Sequence, residues 1–307
     1  MSTLIYHSGA LGDFVTVLPM IYLWRNRFPR ERICLLTRKR HAELAIAARL
    51  ADTWWDLDAA ETASLFSHTP RKDVIQRLKL FSEAFLFAPQ NSPVLSNLET
   101  AGVPRIHSQP PFPAIREHVV DYHLKLLPIE ETLTNIQPPL RFLDQLHQHL
   151  SSKDGVIIHP GSGSKRKNWP WQNFLHLAEY LRSRRESFSW LLGPAEQAVR
   201  VPSGDDILRT DSLPELSRAL CSARLFIGND SGVSHLSAAL GVSSIVLFGP
   251  SDPDVWAPRG NHVTVLRGSC KRAPCHPGKQ PVACTGECMK EIDVESVIDL
   301  CISSAKT

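Results

Sequence analysis

The chain lacks several features that would have settled its class at once. None of its 307 residues forms an apolar stretch near the ~18 residues that a membrane-crossing helix needs. The opening Met1-Ser2-Thr3-Leu4-Ile5-Tyr6-His7-Ser8-Gly9 has neither the charged start nor the apolar middle of a secretory signal. Both absences predict a cytoplasmic protein. No five like charges occur in a row, and 34 basic against 31 acidic residues leave a net charge of +3, too little to argue for nucleic acid. There is no GxGxxG, and no acidic residue closes the apolar run near residues 34–37 where an NAD ribose would need one, so a dinucleotide site is disfavoured. There is also no CxxC among the seven cysteines.

What is present is a repeated unit, an apolar run that breaks into a glycine-bearing turn and restarts at helical spacing. At 43% apolar content the chain can fill two cores of roughly 150 residues each. Residues 3–7 read as a strand, Ser8-Gly9-Ala10-Leu11-Gly12-Asp13 as the turn, and 14–27 as an amphipathic helix with Val17, Ile21 and Trp24 near one face. The alternation continues with a strand at 31–37, a helix at 41–50, a strand at 53–57, a helix at 71–81, a strand at 84–87 and a helix at 116–127. A proline-bearing linker with a helix at 140–150 then leads to a second series: strand from 156, helix 171–186, strand 188–192, a short strand at 207–208, helix 214–222, strand from 225 and strand 244–248. The expected domains are 1–151 and 152–290, followed by a helix in 291–307.

The most telling stretch is Leu225-Phe226-Ile227-Gly228-Asn229-Asp230-Ser231-Gly232-Val233-Ser234-His235. A turn at a helix N-terminus offers unpaired N–H groups and a partial positive charge, which suit a phosphate. Asp230 or Ser231 can cap that helix, and His235 lies one turn in. Two further strand ends open into glycine loops: His159-Pro160-Gly161-Ser162-Gly163 before the basic Lys165-Arg166-Lys167-Asn168-Trp169-Pro170, and Phe248-Gly249-Pro250-Ser251-Asp252-Pro253. Such loops cluster where a doubly wound sheet binds ligands, at the carboxyl edge.

This combination, together with Gly12-Asp13, resembles the heptosyltransferases of glycosyltransferase family 9. The resemblance implies the GT-B fold, two Rossmann-like doubly wound domains facing across a cleft, with the acceptor on the N-terminal domain and the nucleotide-sugar on the C-terminal one. It implies inverting transfer of a heptose or related sugar from an ADP-type donor to a hydroxyl of a lipopolysaccharide core acceptor. Asp13 is implied as the catalytic base. Ser162, Gly163, Lys167, Glu196, Asp230, Ser231, Gly232 and His235 are expected at the nucleotide-sugar, with Gly12, Gly249 and Pro250 in loops near it. Lys167 and the helix N-terminus at Ser231-Gly232 supply positive charge for the departing diphosphate, so no cofactor or metal ion is expected to be required. Ser162-Gly163 stands where some family members carry two hydroxyl residues. The C-terminal helix is expected to cross back onto the N-terminal domain.

Two elements stay outside that scheme. Cys270, Cys275, Cys284 and Cys288 fall within nineteen residues at spacings of x4, x8 and x3, which can wrap a zinc ion, with His276 competing as a ligand. Arg25, Arg27, Arg30, Arg32, Arg38, Lys39 and Arg40 crowd one segment. They read as a solvated surface, or as a peripheral contact with the inner membrane. Two other readings compete with transfer: a same-fold UDP-sugar epimerase, which would need several acidic groups around the sugar, and a non-catalytic binding or assembly subunit.

Overall fold

A computed structural model describes residues 2–128, 154–193, 196, 199–270, 275 and 286–304. The chain divides into two compact units, residues 1–135 and 136–307. The boundary expected at 151/152 and the helix expected at 140–150 lie outside the described residues.

The first unit is built on five parallel strands: β1 (Ser2–Tyr6), β2 (Arg32–Thr37), β3 (Thr53–Asp56), β4 (Glu83–Phe87) and β5 (Arg105–Gln109), in the order β3-β2-β1-β4-β5. Their connections carry α1 (Leu11–Arg27), α2 (Lys39–Ala47), α3 (Lys72–Leu78) and α4 (Pro93–Ala101), and α5 (Val119–Leu124) follows β5. A parallel sheet covered on both faces needs strands that are apolar at every position rather than at every second one. β4 meets that demand, being buried along its whole length. The order reverses between β1 and β4, so the turn after β1, which carries Gly9 to Asp13, opens at the switch point.

α1 begins at Leu11, earlier than the periodicity suggested, because the Asp13 carboxylate accepts the Ala10 backbone N–H at 3.0 Å and closes the helix start. The helix runs through Pro19, which forgoes one backbone hydrogen bond, and buries Phe14, Val17, Leu18, Ile21 and Trp24. The expected helix at 116–127 is shorter: His118 caps α5 by accepting the Val120 N–H at 3.2 Å. α4 went unassigned in the sequence. It is announced only by Pro93 in its first turn and by Gly102, whose φ of 74° supplies the left-handed C-cap.

The second unit holds β6 (Val156–His159), β7 (Phe188–Leu191), β8 (Asp206–Leu208), β9 (Leu225–Asn229), β10 (Ser244–Phe248) and β11 (Val263–Arg267), all parallel, in the order β11-β10-β9-β6-β7-β8. α6 (Trp171–Ser183), α7 (Leu213–Ser222), α8 (Gly232–Ala239), α9 (Pro253–Trp256), α10 (Glu287–Lys290) and α11 (Val294–Ser304) surround it. The switch point lies between β6 and β9.

The helix expected in residues 291–307 is α11, which begins at Val294 after the separate short α10. Val297, Ile298 and Cys301 of α11 sit in the core that also contains Phe174, Leu177 and Leu181 of α6. Part of its apolar face is therefore used within the second unit. α6 and α11 share that core, and Trp169 Nε1 donates to the Ile292 carbonyl at 2.9 Å just before α11.

Candidate active site

In the second unit three adjacent strands, β10, β9 and β6, end in the three loops that the sequence singled out, so topology gathers them at one edge. Asn229, the last residue of β9 and fully buried, ties two of them together. Its Nδ2 donates to the Pro160 carbonyl at 2.8 Å, and its Oδ1 accepts the Trp169 N–H at 2.9 Å. Nothing in the sequence marked Asn229 apart from its place in the turn. A buried amide that spends donor and acceptor on two segments is recognisable only once the fold brings them close.

Ser231 is the N-cap of α8, and its hydroxyl oxygen accepts the Ser234 N–H at 3.3 Å. Gly232 is the first helical residue. His235 lies in the first turn and is 8% exposed. Asp230 is also buried, and Lys167 Nζ donates to its Oδ2 at 2.7 Å. The cation expected to meet phosphate is therefore already paired with a carboxylate beside a helix N-terminus, where a second anion is electrostatically costly unless that lysine shares its charge.

Ser162 is turned into its own loop: Oγ lies 2.6 Å from Asn168 Oδ1 and 2.8 Å from the Ser164 carbonyl, and it accepts the Ser164 N–H at 3.2 Å. It shapes the Lys165–Lys167 turn. Gly163 faces open space, so neither crowding nor backbone strain demands glycine there. Gly161 is crowded instead, and any side chain there would have to displace Glu196. A Cβ there would come within 1.5 Å of Glu196 Oε1. Glu196 is 4% exposed, and its Oε2 accepts the Gly193 N–H at 2.7 Å, which places its carboxylate beneath the loop after β6. His159 lies in the same pocket of charge. Burial pushes its pKa down, opposed by a hydrogen bond to the Leu191 carbonyl and by the Glu196 charge.

Gly249 and Pro250 follow β10. A Cβ on Gly249 would meet Met289 Sδ at 2.3 Å and Cys288 Sγ at 2.9 Å, and the Cys275 N–H donates to the Pro250 carbonyl at 2.7 Å. Cys275 and Cys288 thus brace this loop from behind. Cys284 and His276 lie outside the described residues, and among the described residues no three His, Cys, Asp or Glu side chains converge as for a metal ion. Asp252-Pro253-Asp254 has the DxD spacing that metal-dependent transferases use. Asp252 caps α9 through the Asp254 N–H at 3.2 Å.

In the first unit, the Asp13 turn is held by a residue assigned to a charged surface. Arg38 Nη1 donates to both the Ser8 and Gly9 carbonyls at 2.6 Å. Arg25 likewise turns inward, to Asp52 at 2.6 Å and the Glu31 carbonyl at 2.7 Å. Two of the seven clustered cations are thus structural. Gly9 is crowded on both sides, since a Cβ would lie 2.8 Å from Asp13 Oδ2 and 2.8 Å from His7 Cε1. Around this turn sit three buried histidines. Burial, aided by nearby positive groups, lowers His7 to about 3 and His41 to about 4; burial also lowers His123, against hydrogen bonds and the Asp13 charge that raise it. All three are neutral at neutral pH. Such a carboxylate, backed by neutral rings and fixed by a backbone N–H, is suited to accept a proton.

Two parallel-sheet α/β units, each with a polar turn at its switch point, define the GT-B class of glycosyltransferases. Residues 117–284 match the family model "Glycosyltransferase family 9 (heptosyltransferase)", more than half the chain, and the protein belongs to that family. Lipopolysaccharide heptosyltransferase 1 of Pseudomonas aeruginosa is 30% identical over 154 residues, which are 48% of this chain and 43% of that relative. The match spans less than half of the curated relative's length. Among solved structures, the Escherichia coli heptosyltransferase WaaC with ADP superposes with a TM-score of 0.71 at 16% identity, covering 99% of this chain and 100% of that one. A family 9 glycosyltransferase of Veillonella parvula gives 0.75 at 17% identity, covering 99% and 96%. At these identities the structures speak for the fold.

Proposed function

We propose that the protein is an inverting heptosyltransferase that moves a heptose from an ADP-type donor to a hydroxyl of a lipopolysaccharide core acceptor, without a metal ion. The observation that carries this reading is the switch-point turn of the second unit, where the α8 N-terminus, Ser231 and Lys167 meet at one edge. Helix N–H groups and a lysine ammonium stabilise a departing diphosphate as charge develops on it. The curated relatives' names give the heptose and the lipopolysaccharide, and the ADP bound in the Escherichia coli structure supports the nucleotide.

In the first unit, Asp13 takes the acceptor hydroxyl proton as its oxygen attacks the anomeric carbon from the face opposite the diphosphate. The new C–O bond forms, the bond to the diphosphate oxygen breaks, and the proton rests on the Asp13 carboxylate. Lys167 shares its charge between Asp230 and the phosphates, and Glu196 addresses the ribose. The protein works in the cytoplasm against the inner face of the inner membrane, where its acceptor is displayed. Among the described residues no helix is long and apolar enough to cross a membrane.

The test is transfer from ADP-, UDP-, GDP- and CDP-activated sugars to a heptose-free lipopolysaccharide core. Transfer from ADP-heptose, undiminished by a chelator, is expected. Turnover of a UDP-sugar in its place, epimerisation without transfer, or tight ADP binding without turnover would overturn the reading.

A further inference from the structure

His123, on α5, lies 107 residues from Thr16 in sequence yet touches it in the fold, and no feature of the sequence singled it out. The ring is 1% exposed and stands edge-on to Phe87 at 4.9 Å. Its Nδ1 is 3.3 Å from Thr16 Oγ1, and its Nε2 is 3.1 Å from the Pro111 carbonyl. The Thr16 hydroxyl in turn lies 2.7 Å from the Asp13 carbonyl, to which it donates.

Counting hydrogens fixes the roles. The Pro111 carbonyl can only accept, so Nε2 carries a hydrogen. Burial keeps the ring neutral, which leaves Nδ1 as an acceptor facing a hydroxyl that has one hydrogen. That hydrogen, donated to the Asp13 carbonyl at 2.7 Å, is shared with His123 Nδ1 at 3.3 Å, so the Thr16 hydroxyl is kept turned towards both acceptors. The ring thereby links the first turn of α1 to the loop after β5.

We propose that His123 is a positioning residue for Asp13, acting through Thr16. The first turn of α1 is where a helix frays, and its alignment decides where the Asp13 carboxylate points. At the front the turn is closed by the Asp13 carboxylate itself, on the Ala10 N–H, and Thr16 and His123 hold it from behind. The inference rests on Asp13 being the base.

The two ring nitrogens can be tested separately. Asparagine at 123 keeps a polar atom near the place of Nδ1 and loses the reach to Pro111; glutamine keeps the reach and loses the Thr16 contact. His123→Gln is expected to lower kcat roughly tenfold, part of the ~10²-fold that a 1 Å misplacement can cost, with KM for the donor unmoved. His123→Asn is expected to lose about threefold, a smaller share of the same effect. Thr16→Val should reproduce the glutamine loss, and the His123→Gln/Thr16→Val pair should be no worse than either alone, as expected for residues acting through one contact. Thr16→Val carries the test alone if the histidine variants misfold. If asparagine is the worse variant, if kcat follows melting temperature across the set, or if none changes kcat, the positioning role is overturned. Failure of the base itself shows separately, as an Asp13→Asn variant that keeps wild-type kcat.

Discussion

The turns after β1 and after β9 are built alike and do opposite things with an aspartate. Each follows a central parallel strand, each opens a helix at a switch point, and each places an acidic side chain at the mouth. Asp13 sits inside its helix, fixed by the Ala10 N–H and backed by histidines that burial keeps neutral. Asp230 precedes its helix and is paired with Lys167 at 2.7 Å. The same residue type is therefore offered as a proton acceptor in one unit and as an anchor for a cation in the other. Sequence position at a turn is not enough to assign a role; the neighbours that folding delivers decide it.

Swapping the charge at both sites breaks the comparison most sharply. Asp13→Asn should keep the melting temperature and nucleotide affinity while kcat falls by roughly 10²-fold or more, the scale of losing a general base. Asp230→Asn should do the reverse, releasing Lys167 and changing donor affinity more than kcat. Steady-state kinetics and calorimetry on the two variants check this, and equal kcat losses would erase the distinction.

A smaller effect is expected from Lys167→Ala. It leaves the buried Asp230 carboxylate unpaired, so the variant should bind a nucleoside diphosphate sugar roughly tenfold more weakly, the worth of one charge-assisted contact, while binding of the free nucleoside barely changes. Adding Asp230→Asn to it should restore the melting temperature but not the affinity. An equal loss for sugar and nucleoside would reduce Lys167 to a loop-shaping charge.

The mildest expected effect concerns the histidines behind Asp13. His7 and His41 have folded pKa values of about 3 and about 4, below the ordinary 6.5 of the unfolded chain. Depressed values mean that the unfolded state binds protons first, so the stabilisation is complete above about pH 6.5 and is lost as pH falls towards 4. Neither Nδ1 has a hydrogen-bond partner in the structure, which removes any compensation. His7→Phe should therefore change the melting temperature little at pH 7.5 and flatten its fall between pH 6.5 and 4. A melting curve as acid-sensitive as the parent's would show that the sensitivity arises elsewhere.

Much of this architecture was legible in the chain. Continuous apolar runs marked β1, β2, β4, β9 and β10, because strands covered on both faces cannot alternate. Helical spacing marked α1, α2, α6 and α7. β11 escaped notice because at the sheet edge none of its residues is fully buried, and α4 because its apolar stripe is interrupted by Ser96 and Asn97. Asn97 is buried and donates to the Leu65 and Ser67 carbonyls, so a polar residue stands on the core face.

By itself the sequence determined the repeated strand-turn-helix unit, the division into two α/β domains, and which turns carry glycine, aspartate and serine. Those follow from local propensity and from periodicities that a segment of ten or fifteen residues displays alone. The tertiary structure decided everything that depends on what lies opposite: that Gly161 and not Gly163 is crowded because Glu196 fills the space, that Lys167 answers to Asp230, that Arg38 pins the Asp13 turn, and that α11 packs on α6. Partners far apart in sequence leave no periodic mark on either segment, and contact, charge pairing and burial exist only when the chain has brought them together.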